Sequence, residues 1–257
     1  MTGPALSLVF PAFNEADNLP VLLESAVKIG DSLGLGFEIV VVDDGSQDAT
    51  AHILEAWSAR DPRIRAVHHL ANQGYGAALR RGLREARGEL VFFSDADLQF
   101  ELSEIQNLLA HSDDFDIIAG YRAPRRDPIG RRLIARIWGL LVELLFDLRV
   151  RDIDCAFKIF HREVLDAIPI DSIGAFVNTE ILARARAQQF RIKQIPVTHR
   201  ARQLGRQTGA HPRVIARALI ELSLLYRELR RDRHLERPRG RRRASVAPVR
   251  ALPETPR

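Results

Sequence analysis

Short, largely apolar runs recur through the first 120 residues at a spacing that only alternating strands and helices satisfy. They lie at 6–10, 38–42, 64–68, 90–94 and 116–119. Runs of this length that do not alternate polar with apolar residues are the pattern of strands buried on both faces. The intervening stretches carry helix signals. One helix is expected after Asn18, a residue that caps helix starts, with Pro20 in its first turn. A second is expected after Asp48, and a third over 76–87 with Gly88 as its C-terminal stop. A fourth should follow Ser103, where Ser103 and Gln106 have capping-box spacing. Strands alternating with helices predict parallel pairing through right-handed crossovers, hence a doubly wound, mostly parallel α/β sheet. In such sheets ligands lie beyond the carboxyl ends of the strands.

Composition narrows the class. The chain has 257 residues and is 46% hydrophobic, enough to bury a core in one large domain. Cys155 is the only cysteine, which excludes an intramolecular disulfide and reads as a buried free thiol. Pro4 and Pro11 bracket the first apolar run and no basic stretch precedes it, unlike a secretory signal. Residues 133–146 are the most apolar window, but Arg136 and Glu143 interrupt it, so no transmembrane helix is expected.

The charge is strongly polarised. Residues 1–120 carry 8 basic against 19 acidic side chains, and residues 121–257 carry 30 against 14. An acidic half suits a cation and a basic half suits anions. The division expected is an acidic, cation-suited half over 1–120 and a basic, anion-suited half of the same domain over 121–231. An Arg- and Pro-rich tail over 232–257 should be disordered. Within the second half, 130–147 read as an amphipathic helix bearing Trp138, Leu140, Leu141, Leu144, Leu145 and Phe146, and 213–230 as another helix.

Polar clusters follow the strands. After the first comes Pro11-Ala12-Phe13-Asn14-Glu15, after the second Asp43-Asp44-Gly45-Ser46, after the third Asn72-Gln73-Gly74-Tyr75-Gly76, and after the fourth Asp95-Ala96-Asp97-Leu98-Gln99. Asp95 and Asp97, two apart at a strand end, point to the same side and repel unless a cation lies between them. Mg²⁺ or Mn²⁺ suits two carboxylates completed by substrate phosphates, and Gln99 adds a neutral oxygen. The competing reading of Asp95 and Asp97 is helix capping or a solvated turn. Asp43 is expected to face a ligand, Asp44 and Gly45 to close a turn, and Asp48 to be structural. Glu15 reads either as a ligand contact or as an acid favoured at a helix start. Asn72 and Gly74 serve the tight loop opening the next helix and, on an equal footing, contact with a ligand.

These four motifs, in this order, closely resemble the family 2 inverting glycosyltransferases of GT-A fold, nearest to the dolichol-phosphate and polyprenyl-phosphate mannose synthase branch. The resemblance covers roughly residues 5–225, and it implies a nucleotide-sugar- and metal-binding half over 1–120 and an acceptor-binding half over 121–231. It implies that Pro11, Phe13, Glu15, Asp43, Asn72, Gly74 and Asp95 hold the nucleotide sugar. It also implies that Asp95, Asp97 and Gln99 hold Mg²⁺ or Mn²⁺ against the diphosphate. Residues 152–158, Asp-Ile-Asp-Cys-Ala-Phe-Lys, resemble the family's D-x-x-x-G-F-R segment near the acceptor, with Ala156 in place of Gly and Lys158 in place of Arg. Val177-Asn178-Thr179-Glu180 resembles the helix whose Glu faces the sugar. Residues 200–208, with Arg202 and Arg206, resemble a basic loop closing over phosphates, although Gly205-Arg206-Gln207-Thr208 departs from the usual G-E-S-K. Asp97, Arg122, Arg132, Arg202 and Glu180 form the implied catalytic set.

The implied reaction moves a hexose, mannose or glucose, from a GDP- or UDP-sugar to a polyprenyl phosphate with inversion. Arg122 and Arg132 would pair with acceptor phosphate oxygens. Such an acceptor is already an anion and needs no general base, whereas a soluble hydroxyl would need one from Asp152, Asp154 or Glu180. A lipid acceptor implies peripheral attachment to the cytoplasmic face of an anionic membrane, with room for a membrane-anchoring partner protein. Residues 227–243 hold nine Arg against three acids, which suits such a surface. The 130–147 helix could lie in the interface or serve a core or a dimer. A nucleotidyltransferase would show a Gly-rich G-x-G-x-R loop after its first strand, and a nucleic-acid binder would not need the acidic cluster, so no nucleic acid is expected.

Overall fold

The computed structural model describes residues 3–123, 129–200 and 212–232. Strands and helices alternate as β1 (Leu6–Ala12), α1 (Leu19–Ser32), β2 (Phe37–Asp43), α2 (Thr50–Arg60), β3 (Ile64–His68), α3 (Tyr75–Glu85), β4 (Leu90–Ser94), α4 (Ile105–Leu109) and β5 (Ile117–Arg122). The second part adds α5 (Ile129–Phe146), β6 (Phe157–His161), α6 (Arg162–Ala167), α7 (Val177–Ala187), β7 (Ile192–Val197) and α8 (Pro212–Asp232). The strands form one seven-stranded sheet in the order β3-β2-β1-β4-β6-β5-β7. β1 runs parallel to β2 and β4, β2 to β3, and β5 to β7. β6 alone is antiparallel to both of its neighbours. Its first residue, Phe157, pairs with Ser94 at the end of β4. Residues 152–156 therefore arrive at the same edge of the sheet as the carboxyl ends of the parallel strands.

The pleat sends successive side chains to opposite faces, and two cores result. Val9, Val40, Val42, Val91, Phe93 and Phe160 pack with α3, α5, α6, α7 and α8. Leu8, Phe10, Ile39, Val41, Phe92 and Ile159 pack with α1, α2 and α4. In α1 the buried Leu19, Leu22, Leu23 and Ala26 recur at helical spacing, so one stripe meets the sheet. At about 25 cal/mol per Å² of apolar surface removed from water, this two-faced burial is the main force holding the sheet and its helices together.

Local cap signals are met less literally. The Asn18 side chain does not cap α1: it has helical backbone angles and its amide donates to Glu15 Oε2 at 2.5 Å. The Glu15 carbonyl accepts the Asn18 and Leu19 amides instead. Asp48 does start α2, accepting the Thr50 amide at 2.9 Å and the Ala16 amide at 3.2 Å. Partial burial opposes its charge, but these hydrogen bonds hold its carboxyl below the usual range. Gly88 is not a left-handed helix stop. α3 ends at an extended Ala86, and a Cβ on Gly88 would lie 2.7 Å from the Ser7 nitrogen, so the glycine lets β4 enter close beside β1. The Ser103–Gln106 capping box does not form, because a 3₁₀ turn over Leu102–Glu104 precedes α4 and the Ser103 hydroxyl donates to Glu101 at 3.4 Å.

Candidate active site

At the end of β2, Asp43 and Asp44 are both buried. Asp43 Oδ1 accepts the Ser46 amide at 3.0 Å, and Oδ2 lies 3.1 Å from His68 Nδ1. His68 Nε2 in turn lies 2.7 Å from Glu55. Burial works against the imidazolium, but Asp43 and Glu55 raise the His68 pKa overall. Asp44 accepts the Gln73 and Gly74 amides at 2.9 Å each and meets His69 Nδ1 at 2.7 Å. It thus folds the 72–74 loop, as its expected turn role requires, but across 30 residues. Asp43, expected to face a ligand, has both oxygens engaged by Ser46 and His68.

The same loop opens α3 through Gly74, whose φ of 100° favours glycine. The first-turn amides of Gly76 and Ala77 point at the Ile173 carbonyl, at 3.0 and 3.3 Å. A side chain on Gly76 would collide with the backbone of 172–174. Those residues are held by Glu180, the residue that the resemblance places at the sugar. Its buried carboxylate accepts the Asp171 and Ser172 amides and pairs with Arg184 Nε at 3.0 Å. Arg184 also forks onto Glu228 of α8, at 2.7 and 3.1 Å. Four residues downstream on α7, Arg184 turns the Glu180 carboxylate into a loop anchor.

Beyond β4 the chain presents Asp95 and Asp97, both half-buried. Asp97 Oδ1 accepts the Gln99 amide at 3.2 Å. Gln99 joins this loop to the strand end after β7. Its backbone carbonyl accepts the Arg200 amide at 2.7 Å, and its side-chain nitrogen donates to the Arg200 carbonyl at 3.0 Å. The remaining ligand atom of Gln99 is its amide oxygen. Among the described residues no three His, Cys, Asp or Glu side chains gather as a metal cage. Two hard carboxylates and an amide oxygen instead fit a divalent cation that takes its other ligands from a diphosphate and water.

One strand further on, Arg122 at the end of β5 is fixed by Asp152. Its Nε and Nη2 donate to the two carboxylate oxygens at 2.6 and 2.8 Å. The fork orients the guanidinium at the edge where an anionic acceptor would approach. The side chain of Arg132, and Arg202 with the rest of the basic segment 201–211, lie outside the described residues. Phe13 is exposed and Asn72 is on the surface, while Pro11 is buried within β1.

Two residues at this edge are marked in the sequence only as members of motifs, Tyr75 in the loop after β3 and Lys158 in the segment that resembles D-x-x-x-G-F-R. Tyr75, between two glycines, sends its hydroxyl into the interior, sealed from solvent against Asp95 and Asn178. Burial, and then the Asp95 carboxylate, push its pKa well above the ordinary value. Lys158 is completely buried on β6, donating to the Ile153 and Cys155 carbonyls and to Asn178 Oδ1 at 3.1 Å. Burial lowers its pKa. The signals available were a tyrosine at a helix start flanked by glycines and one of only three lysines set within an apolar strand. Cys155 is buried as expected, and burial pushes its thiol up to about 12.

The comparisons with known proteins agree with this architecture. The family model described as glycosyl transferase family 2 matches residues 7–168. Undecaprenyl-phosphate 4-deoxy-4-formamido-L-arabinose transferase of Shewanella sediminis is 34% identical over 166 residues, covering 63% of this chain and 50% of that protein. The protein of the same name from Salmonella paratyphi B is 31% identical over 213 residues, covering 82% and 64%. The chain thus spans between half and two thirds of the length of these relatives. Among solved structures, glucosyl-3-phosphoglycerate synthase of Mycobacterium tuberculosis with Mn²⁺, UDP and phosphoglyceric acid superimposes with a TM-score of 0.64 at 22% identity, covering 88% of this chain and 76% of that one. Mannosyl-3-phosphoglycerate synthase of Rubrobacter xylanophilus gives 0.66 at 20%, covering 92% and 77%. At these identities the likeness is one of fold, and the fold is of GT-A type. With the family model spanning most of the sheet and the four strand-end motifs on one edge, this chain belongs to glycosyl transferase family 2.

Proposed function

We propose that this chain transfers a sugar from a nucleoside-diphosphate donor to a polyprenyl phosphate, with inversion and with Mg²⁺ or Mn²⁺. The observation that carries the reading is the placement of Asp95 and Asp97 at the end of β4 with Arg122, locked by Asp152, at the end of β5. The named reaction of the relatives, on undecaprenyl phosphate, supports it. The donor is a UDP- or GDP-linked hexose, mannose or glucose, and binds along Pro11, Phe13, Glu15, Asp43, Asn72 and Gly74. Asp95 and Asp97, with Gln99, would hold the cation, which would offset charge developing on the diphosphate leaving group. Arg122, with Arg132 and Arg202, aligns the acceptor phosphate. Its oxygen forms the new bond to the anomeric carbon as the bond to the diphosphate breaks on the opposite side. Positioning of two anions that would otherwise repel then supplies most of the rate.

The acceptor choice has a structural argument. Asp152 is committed to Arg122 and Glu180 to the 171–172 backbone, so two of the three carboxylates that could deprotonate a hydroxyl are already occupied. An anionic phosphate needs no base. Among the described residues no helix is long and apolar enough to cross a membrane. α5 buries Val142 and Phe146 yet leaves Ile134, Ile137, Leu140 and Leu144 exposed, and α8 leaves Ile220 and Leu224 exposed. We assign these faces, with the Arg-rich second half, to peripheral contact with an anionic cytoplasmic leaflet, alone or beside a membrane-anchoring partner.

The test is a transfer assay with UDP- and GDP-sugars, a short polyprenyl phosphate and Mn²⁺ or Mg²⁺, read by nucleoside diphosphate release and mass spectrometry of the lipid. A lipid-linked sugar that disappears with chelator is expected, and the productive donor names base and sugar, including a pentose derivative such as that of the relatives. Transfer only to a soluble hydroxyl, or transfer undiminished by chelator, would overturn the acceptor or the metal part respectively.

A further inference from the structure

The 170–174 loop is gripped from two sides. On one side is α3. The Gly76 and Ala77 amides donate to the Ile173 carbonyl at 3.0 and 3.3 Å. Arg80 Nη1 donates to the Asp171 carbonyl at 3.2 Å and to the Ile170 carbonyl at 3.4 Å. A Cβ on Gly76 would lie 2.6 Å from the Gly174 oxygen, so the two backbones touch. On the other side is α7. Glu180 accepts the Asp171 and Ser172 amides at 3.1 and 2.8 Å. Arg184, one turn on, donates to Glu180 at 3.0 Å and forks onto Glu228 of α8 at 2.7 and 3.1 Å. α8 is seated by its buried Leu222 and Leu225 and by Tyr226, edge-on to Phe146 with ring centres 6.1 Å apart. Glu228 stands three residues beyond Leu225 and so shares its face. A continuous path thus runs from α8 through Arg184, Glu180 and the 171–173 backbone to the first turn of α3. Just before that turn lie Asn72 and Gly74, the proposed donor contacts, in the loop whose Gln73 and Gly74 amides Asp44 accepts.

We propose that Arg184 and Glu228 are positioning residues for donor binding. They fasten Glu180, Glu180 sets the 171–173 backbone, and that backbone fixes the turn from which Asn72 and Gly74 meet the nucleotide sugar. Neither residue touches the donor. Contiguous hydrogen bonds between rigid elements carry coupling of this kind. The Arg184 side chain is 6% exposed and lies between two carboxylates, so its planar fork has one arrangement that satisfies both. With Glu228 gone, Asp171 Oδ2, 3.4 Å from Nη2, is the carboxylate left to that end of the fork. Turning toward it disturbs the loop itself. The inference rests on the donor reading above, because Asn72 and Gly74 are proposed contacts.

Glu228→Ala tests the path at its far end, on a side chain that is half-exposed. Binding of UDP or GDP, whichever wild type takes, is measured by calorimetry on the full chain with Mn²⁺ present. Hydrogen exchange of the same proteins is followed over 73–79 and 170–178. Nucleotide affinity in Glu228→Ala is expected to weaken about fivefold or more, the low end of couplings between sites in one protein. Exchange should quicken in those two segments and keep the wild-type rate in β1, β2 and β4, a pattern that a general loss of stability does not give. Glu228→Gln, which keeps an oxygen for Arg184 Nη1, should recover most of the affinity. A Glu228→Ala protein with wild-type nucleotide affinity overturns the proposal. Exchange quickened throughout the sheet would make Glu228 a residue of general stability and overturns it too. Should that variant fail to fold, a folded Arg184→Lys, which loses the fork but keeps the charge, overturns it by binding nucleotide as wild type does. Wild type that binds neither UDP nor GDP overturns the donor reading and this proposal together, and the wild-type arm distinguishes that case.

Discussion

Two acidic pairs stand at the same edge of one sheet in opposite surroundings. Asp43 and Asp44 follow β2, and Asp95 and Asp97 follow β4. The first pair is each 3% exposed, wrapped by the Ser46, Gln73 and Gly74 amides and by two histidines. The second pair is half-buried, with the Gln99 amide on Asp97 and Tyr75 behind Asp95. The difference lies in the path of the chain beyond each strand. After β2 it turns back at once through Gly45, whose φ is 71°. The 69–74 segment then closes over the carboxylates. After β4 the chain runs on to bridge Phe100 with His199. That leaves the carboxylates of 95 and 97 beside the crevice instead of inside a turn. Residue type at a strand end announces a polar site; the course of the next few residues decides whether the fold or a ligand takes the charge.

The largest effect expected from this contrast is on catalysis. Asp97→Ala should lower metal-dependent transfer about a thousandfold, or ~4 kcal/mol of transition-state stabilisation. Its urea midpoint should stay near wild type, since a half-buried carboxylate beside a like charge contributes little to folding, within about 0.5 kcal/mol. Nucleoside diphosphate release and a denaturation curve on the same preparation decide it. A variant that keeps its rate, or loses its fold, would erase the distinction between the pairs.

Asp44→Ala should do the reverse. Two buried amides and His69 lose their acceptor together, and each such orphaned group costs about 1–3 kcal/mol. A destabilisation of about 3 kcal/mol is expected, read from urea midpoints. The folded fraction should still bind divalent cation through Asp95 and Asp97. Unchanged stability would mean that water replaces the carboxylate, and that the 72–74 loop does not depend on it.

Long-range order in the chain was more legible than local detail. Apolar runs gave the five strands of the first half within a few residues, because burial on both faces leaves a pattern that needs no partner to be recognised. The clustering of the four motifs on one edge followed from that alternation alone. Helix caps are less legible in the sequence. Asn18, Gly88 and Ser103 each fit a local rule, but Glu15, Ser7 and Glu101 offered competing contacts that only the folded arrangement supplies. Glu180 shows the same limit at the site. Its spacing to Arg184 was visible in the sequence, while the 171–172 amides that complete its shell come from a loop whose path was not. The cluster of Tyr75, Asn178 and Lys158 draws on three elements across 103 positions, between 75 and 178, and no local pattern unites them.

The smallest expected effect tests whether Asp43 belongs wholly to the structural pair. His68 lies between Asp43 and Glu55, and although burial disfavours its charge, those two carboxylates raise its pKa. A histidine raised above its unfolded value near 6.5 binds its proton more tightly when folded. The stabilisation this gives is complete below about pH 6.5 and is lost as pH rises through the folded value. Wild type should therefore lose a little stability between about pH 6 and about pH 8, less than about 1 kcal/mol because the imidazole is partly exposed. His68→Asn should lose none of it over that range. Urea midpoints of both proteins across the window provide the measurement. Parallel slopes would show that His68 does not grip Asp43 in solution. The Asp43 carboxylate would then be held mainly by the Ser46 amide, leaving more of it to the donor contact proposed above.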